Sequence, residues 1–410
     1  MIGRRYVFFV AGYDPIDLRQ QHGRFRREIA KFETTWRLSA AVSDMVPAGD
    51  GGWCWSVAVR GPGWAATTIY EPLDWHDIVA ADLARPLLPR LSGGLVAFFD
   101  FVLTGTAIRY FLASWRYGLF FLLPFFSLLL FTAVSIAAAL VFARLVAALP
   151  FHTLMAALVA ALVFLGLMRW PGRRWRVDQA LADWIFARDF MYGRRRDVAS
   201  RLEDFAQRVI AAAVNREADE ILIVGHSLGA TMAVDMLARA LKRDPLLTAH
   251  GPTINLLTVG ATIPKLALHP FARRLRADMT RVAAEPGIFW AEYQARRDPI
   301  SFYKFDPLTL RRFRANAPGK KPHVCLVGIK DMLSPETFAR HKLHHMRLHY
   351  QFVMANERRA PYDYFLLCTG PARFEELATA PAGALDLFDE DGTRRPPPSA
   401  PAAVPEPAAP

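Results

Sequence analysis

The 410-residue sequence predicts an α/β fold: a mostly parallel sheet with helices on both faces, plus an inserted two-helix transmembrane hairpin. Three observations predict it. Short aliphatic runs alternate with segments carrying apolar residues at helical spacing, the pattern of parallel strands joined by crossover helices. One of those runs, Ile221 to Val224, leads into a helix through the turn Gly225-His226-Ser227-Leu228-Gly229. Between Tyr117 and Met168 the only charged residue is Arg144, and each flanking length suits a bilayer crossing.

Taken in order, Arg5 to Val10 reads as a strand that runs into the loop Ala11-Gly12-Tyr13-Asp14-Pro15. Gln20 to Ser39 reads as a helix, with Phe25, Ile29, Phe32 and Trp36 spaced by three and four. Trp53 to Arg60 and Ala65 to Tyr70, joined by Gly61-Pro62-Gly63, form a hairpin pattern. Leu91 to Ile108 is apolar but holds Asp100 and three glycines, which suits an interfacial amphipathic helix better than a third span. Tyr117 to Ala143 and roughly Pro150 to Met168 are the two expected membrane helices, lacking the polar stripe of a soluble core helix. Val177 to Ala213 supplies helices, and strands follow at Ile221 to Val224, Thr253 to Gly260, Ile288 to Gln294 and Val324 to Ile329. From Ala378 onward Pro and Ala dominate without periodicity, so residues 378–410 read as a disordered tail. The expected organisation is therefore an α/β domain in two pieces, 1–90 and 171–377, interrupted by the membrane insert 91–170 and followed by that tail.

Charge points to the bilayer. The formal net charge is +12, and much of the arginine excess flanks the hydrophobic segments. An anionic membrane surface accounts for this better than nucleic acid, for which no zinc-finger, RRM-like or P-loop signature is present. Arg109 and Arg116 precede the hairpin and Arg169, Arg173, Arg174 and Arg176 follow it, whereas only Arg144 lies near its turn. The positive-inside rule then puts both flanks, and the domain they join, in the cytoplasm, as for a bacterial inner-membrane protein. No signal-peptide pattern opens the sequence. Cys54, Cys325 and Cys368 are widely spaced and sit in or beside apolar or aromatic runs, the pattern of reduced core residues.

The turn around Ser227 carries the chemistry. A serine on so tight a strand-to-helix connection takes a strained backbone conformation, with small residues needed two positions before and after it. The strain projects its oxygen out of the sheet, and the Leu228 amide at the helix start is placed to bind an oxyanion. Gly-His-Ser-Leu-Gly-Ala resembles the nucleophile segment of α/β-hydrolase lipases and esterases, over the chain outside the membrane insert and the tail. That resemblance implies a Ser, Asp, His order along the chain, each residue on a loop at the carboxyl end of a strand.

Candidates stand in that order. Asp298, in Arg-Arg-Asp-Pro-Ile-Ser after a strand, is similar to the acid loop of lipases; Asp331 is the rival acid. Arg340 to Tyr350 offers His341, His344, His345 and His349. His349, opening a run with aromatics behind it, fits the family's base best, with His345 second. His341 and His345 at i, i+4 lack a nearby Glu or Cys to complete a metal site, so no metal is expected. Val10 to Asp14 is similar to the His-Gly oxyanion loop of lipases, with Ala11 where a histidine often stands. Gly12 would let the backbone approach substrate, the Tyr13 amide would be the second oxyanion donor, and His226 would shape the pocket.

The implied activity is hydrolysis of acyl esters, with lipid esters favoured by location and no cofactor required. An acyltransferase on the same three residues, and a catalytically silent membrane scaffold on the same fold, stand as alternatives.

Overall fold

The computed structural model describes residues 1–49, 51–313 and 321–396. In chain order its strands are β1 (Arg4–Val10), β2 (Ser39–Val42), β3 (Val46–Ala48), β4 (Gly52–Gly61), β5 (Trp64–Pro72), β6 (Glu220–His226), β7 (Thr253–Val259), β8 (Ile288–Ala295), β9 (Phe305–Asp306), β10 (Arg311–Arg312) and β11 (His323–Val327). The main sheet runs β11-β8-β7-β6-β1-β5-β4-β2, with β3 paired to β4, and β9 and β10 form a separate small ribbon. Six neighbouring strands, from β11 to β5, pair in parallel; β4 and its partners are antiparallel, so the sheet is mixed but mostly parallel. The predicted hairpin is the β4–β5 pair.

Burial on both faces explains the unalternated apolar strands. All seven residues of β6 are buried. Tyr6, Phe8, Ile221 and Ile223 point into one helical layer, built mainly on Arg196–Val214, Gly229–Arg243 and Arg273–Ala284. Val7, Phe9, Leu222 and Val224 point into the other, built on Leu18–Trp36 and the helices after residue 345. The first of these helices is shorter than its pattern predicts. Arg37 adopts a left-handed conformation (φ 53°) and closes it at Trp36, which frees Ser39–Val42 to become the edge strand β2.

The chain lays down β1 to β5 on one side and then crosses β1 to add β6, β7, β8 and β11 on the other. β1 and β6 are neighbours whose following connections diverge. A crevice at the carboxyl ends of such a pair is where open α/β sheets bind ligands.

Among the described residues two helices are long and apolar enough to cross a membrane, Trp115–Leu145 (mean hydropathy 2.5) and His152–Gly172 (1.9). The first has 31 residues, about 46 Å at the helical rise, against a hydrocarbon core of about 30 Å. Its surplus is its first three turns, where Tyr117 and Phe121 are buried against Tyr110, Trp184 and Phe302 of the domain. The expected interfacial segment is helices Leu87–Leu103 and Thr106–Ala113, lying against the domain. Asp100 interrupts its apolar run because it faces inward, accepting from the Tyr192 hydroxyl (2.8 Å) and lying 3.1 Å from His269 Nε2. Its outward face presents Phe99, Leu103 and Leu112.

One boundary moves. The tail was expected to be without structure from Ala378, yet helix Ala384–Leu387 lies within it and Phe388 is fully buried against Trp36 and Trp64. Proline-poor and still apolar, that stretch completes the second helical layer. The rest of the predicted tail, 397–410, falls outside the described residues.

Candidate active site

Ser227 sits between β6 and helix Gly229–Arg243 with φ at +57°, a region costly to a residue with a Cβ. Backbone bonds hold it there. Its amide donates to the Val259 carbonyl (3.1 Å), and its carbonyl accepts from the amides of Ala230 and Thr262 (both 3.2 Å). The flanking glycines are sterically required. A Cβ on Gly225 would stand 2.4 Å from Ala230 Cα, and one on Gly229 would stand 2.2 Å from the Val10 carbonyl oxygen.

The loop after β1 closes on the serine from the other side of the crevice. A Cβ on Gly12 would lie 2.9 Å from Ser227 Cβ and 3.4 Å from its Oγ, so only glycine fits this approach. Trp75 Nε1 donates to the Ala11 carbonyl (3.0 Å), and Gln179 Nε2 donates to the Tyr13 carbonyl (2.9 Å). Among the described residues neither the Tyr13 nor the Leu228 amide donates a hydrogen bond. The Tyr13 side chain turns away from the site, donating to Asp82 (3.0 Å). Burial, with the carboxylates of Asp82 and Asp183, holds its phenol above the usual range.

Asp298 follows β8 and is buried, its carboxylate fixed by the Ile300 amide (3.0 Å). Its other oxygen lies 2.7 Å from His349 Nδ1, and His349 is buried too. His349 occupies helix His345–Tyr350. Gly260, just past Val259, lets its ring approach: a Cβ there would stand 3.2 Å from His349 Cε1. On the other side the His226 ring lies 4.8 Å from the His349 ring, and His226 Nε2 stands 3.3 Å from the His349 carbonyl. Burial, and then electrostatic repulsion from the neighbouring His349 ring, holds His226 well below the ordinary imidazole range. The remaining nitrogen, His349 Nε2, is buried without a hydrogen-bond partner, so its bond to Ser227 Oγ is not closed.

Ser227, His349, Asp298, Gly12, Tyr13, Leu228 and His226 thus gather at the carboxyl ends of β1, β6, β7 and β8. The alternatives do not join them. Asp331 is exposed on a short helix. His345 is exposed, His344 caps the helix start by accepting from the Arg347 amide, and His341 is partly exposed on the preceding helix. No group of three metal-ligating side chains occurs among the described residues. All three cysteines are free, and burial raises the Cys325 and Cys368 thiols to about 12.

Sequence reasoning missed three supports. Gly260 read as a strand end, Gln179 as one polar residue of a helix, and Tyr350 as an aromatic behind the histidine. The Tyr350 hydroxyl in fact donates to Asp14 in the loop after β1, and the Arg24 guanidinium lies over its ring. No protein-family model, curated protein or solved structure matches this chain.

Proposed function

We propose that this protein is a membrane-anchored serine hydrolase of the α/β-hydrolase type, acting on acyl esters from the cytoplasmic face. The observation that carries the proposal is the buried 2.7 Å pair of His349 Nδ1 and Asp298 beside a serine held at positive φ. An aspartate on Nδ1 keeps the proton there and leaves Nε2 free to accept another.

In the reaction, Ser227 Oγ attacks the acyl carbon and its proton passes to His349 Nε2. The carbonyl electrons move onto an oxyanion that the amides of Leu228 and Tyr13 stabilise. As the tetrahedral species collapses, the carbon–oxygen bond to the alcohol breaks and His349 returns the proton to the departing oxygen. Water then attacks the acyl-enzyme by the same route and releases the carboxylic acid. Apo sites often hold this serine–histidine bond open, and substrate closes it.

The anchor is the helix pair. Both of its ends return to one domain, and arginines outnumber other charges beside them, which favours cytoplasmic flanks.

A fluorophosphonate tests the reading directly, because only an activated serine reacts. Covalent labelling at Ser227 is expected, and its loss in Ser227→Ala. The open Nε2 favours one second reading, a silent hydrolase fold used as a membrane scaffold; absence of labelling in the parent protein would select it.

A further inference from the structure

A helix on the surface of a soluble domain turns its apolar stripe to the core and its polar side to water. Along most of helix Leu87–Leu103 the arrangement is inverted. Small residues meet the domain: a Cβ on Gly94 would stand 2.7 Å from Leu181 Cδ2, and one on Gly93 would stand 3.0 Å from Ile185 Cδ1. Large apolar ones point away from it, with Leu88, Leu95, Val96, Phe99, Val102 and Leu103 all exposed. Helix Thr106–Ala113 adds Ile108 and Leu112 to the same class.

The polar side chains of these two helices find their partners inside the protein. Ser92 Oγ donates to the Pro89 carbonyl (3.3 Å), Thr104 Oγ1 to the Asp100 carbonyl (2.7 Å) and Tyr110 Oη to the Lys265 carbonyl. Thr106 Oγ1 lies 2.9 Å from Thr104 Oγ1. Asp100 turns inward to Tyr192 and His269, Arg90 stands 3.5 Å from Asp178, and Arg109 donates to the Leu268 carbonyl (2.8 Å). Internal pairing of this kind is what hydrocarbon demands, because no water is there to complete a hydrogen bond.

The outward apolar face also continues onto the longer membrane helix. The Phe98 ring packs on Phe125 (4.5 Å between centres) and lies nearly parallel to Phe121 (5.9 Å). On Trp115–Leu145 itself, Leu119, Leu123 and Phe126 form an exposed stripe at spacings of four and three. That helix opens on exposed Trp115 and on Arg116, residue types that gather where hydrocarbon meets headgroups.

We propose that helices Leu87–Leu103 and Thr106–Ala113 are immersed in the acyl-chain layer of the bilayer, as a lipid-facing wall beside the spanning pair. This rests on the membrane anchoring proposed above and not on the chemistry at Ser227. The wall differs from a helix resting among headgroups, which keeps a polar side toward water. Here the side away from lipid is occupied by Leu181, Ile185 and the domain behind them. Long apolar helices tilt in a bilayer, and a tilted Trp115–Leu145 brings its exposed stripe and the wall into hydrocarbon together. The domain then sits against the membrane and does not merely hang from the hairpin.

The test uses the full-length, unsubstituted protein in vesicles of phosphatidylcholine and phosphatidylglycerol. A share of the phosphatidylcholine carries a diazirine midway along one acyl chain. Illumination gives a carbene that inserts into the nearest side chain, and peptide mass spectrometry locates the adducts. Adducts are expected on residues 95–103 and 108–112 as well as on the spanning helices. Their yield should exceed that on Leu246 and Leu343, exposed apolar residues of other elements, by at least about tenfold, because the probe stays in the hydrocarbon layer. Hydroxyl-radical oxidation of the same vesicles reports water at these side chains and should spare Phe99. Adducts on the spanning helices alone overturn the wall. Strong oxidation of Phe99 would then place the face in water, and protection from both reagents would mean that protein covers it, a second copy if the particle has the mass of a dimer. Spanning helices without adducts would sink the membrane anchoring and the wall together.

Discussion

The Tyr350 hydroxyl donates a hydrogen bond to the carboxylate of Asp14, joining the residue after His349 to the loop that carries Gly12 and Tyr13. Asp14 is tied back to that loop, its amide donating to the Gly12 carbonyl (2.8 Å). The helix that carries His349 and the loop that carries Gly12 are thus latched across Ser227. Burial raises the Asp14 carboxyl above its usual range, with Arg176 and Arg24 opposing the shift.

If the latch sets the position of the Tyr13 amide, Tyr350→Phe should lower kcat by about tenfold and leave KM nearly unchanged, since a misplaced donor is felt in the transition state. Steady-state kinetics on a short acyl ester decide this. A rise in KM alone would mean that Tyr350 contacts substrate and positions nothing.

Gly12→Ala should be inactive while folding normally. Its new Cβ would fall 2.9 Å from Ser227 Cβ, inside any tolerated contact, and the loop would have to retreat from the nucleophile. A folded variant that still labels with fluorophosphonate at the parent rate would remove the loop after β1 from the mechanism.

Much of this arrangement was legible in the sequence because tight turns and chain order are local signals. The Gly-x-Ser-x-Gly turn needs small residues where helix and strand collide, and Gly225 and Gly229 meet atoms at 2.4 and 2.2 Å. Asp298 was readable from its place after a strand. Among four histidines, the family resemblance puts His349 first and His345 second, and burial separates them: His349 is buried and His345 is exposed. The latch, Gly260 and the Gln179 contact lay beyond reach, because each joins elements far apart along the chain and leaves no periodic trace. Helix Ala384–Leu387 was hidden by proline-rich composition on its far side, although Leu387 and Phe388 are core residues.

Glu292 predicts a pH dependence of stability. It is buried in β8, and burial raises its carboxyl to about 8 from 4.5, with the Asp306 charge adding to the shift and hydrogen bonds from Gln294 and Thr258 opposing it. Between pH 4.5 and about 8 the unfolded chain has lost this proton while the folded protein keeps it. The folded state then binds more protons, so this group makes stability fall as pH rises through that window. Glu292→Gln, which is neutral throughout, should gain stability over the parent as pH climbs from 5 to 8 and hold that gain above. Urea midpoints at the two pH values test it; an equal shift at both would show that Glu292 does not titrate there.

His349→Ala should lose nearly all turnover, because no other side chain among the described residues shares Asp298 in place of His349 while standing beside Gly260 and His226. His345→Ala should keep close to parental turnover, since its ring is exposed outside the site. Asp298→Asn should fold yet fall by roughly 10³- to 10⁴-fold, because an amide can donate to Nδ1 and so favours the imidazole tautomer with its proton on Nε2, where it blocks acceptance from the serine. That loss should appear in kcat with little change in KM, and raising the pH should not restore it. Full activity in Asp298→Asn would mean that the 2.7 Å pair only packs the domain, and inactivation by His345→Ala in place of His349→Ala would move the base four residues upstream.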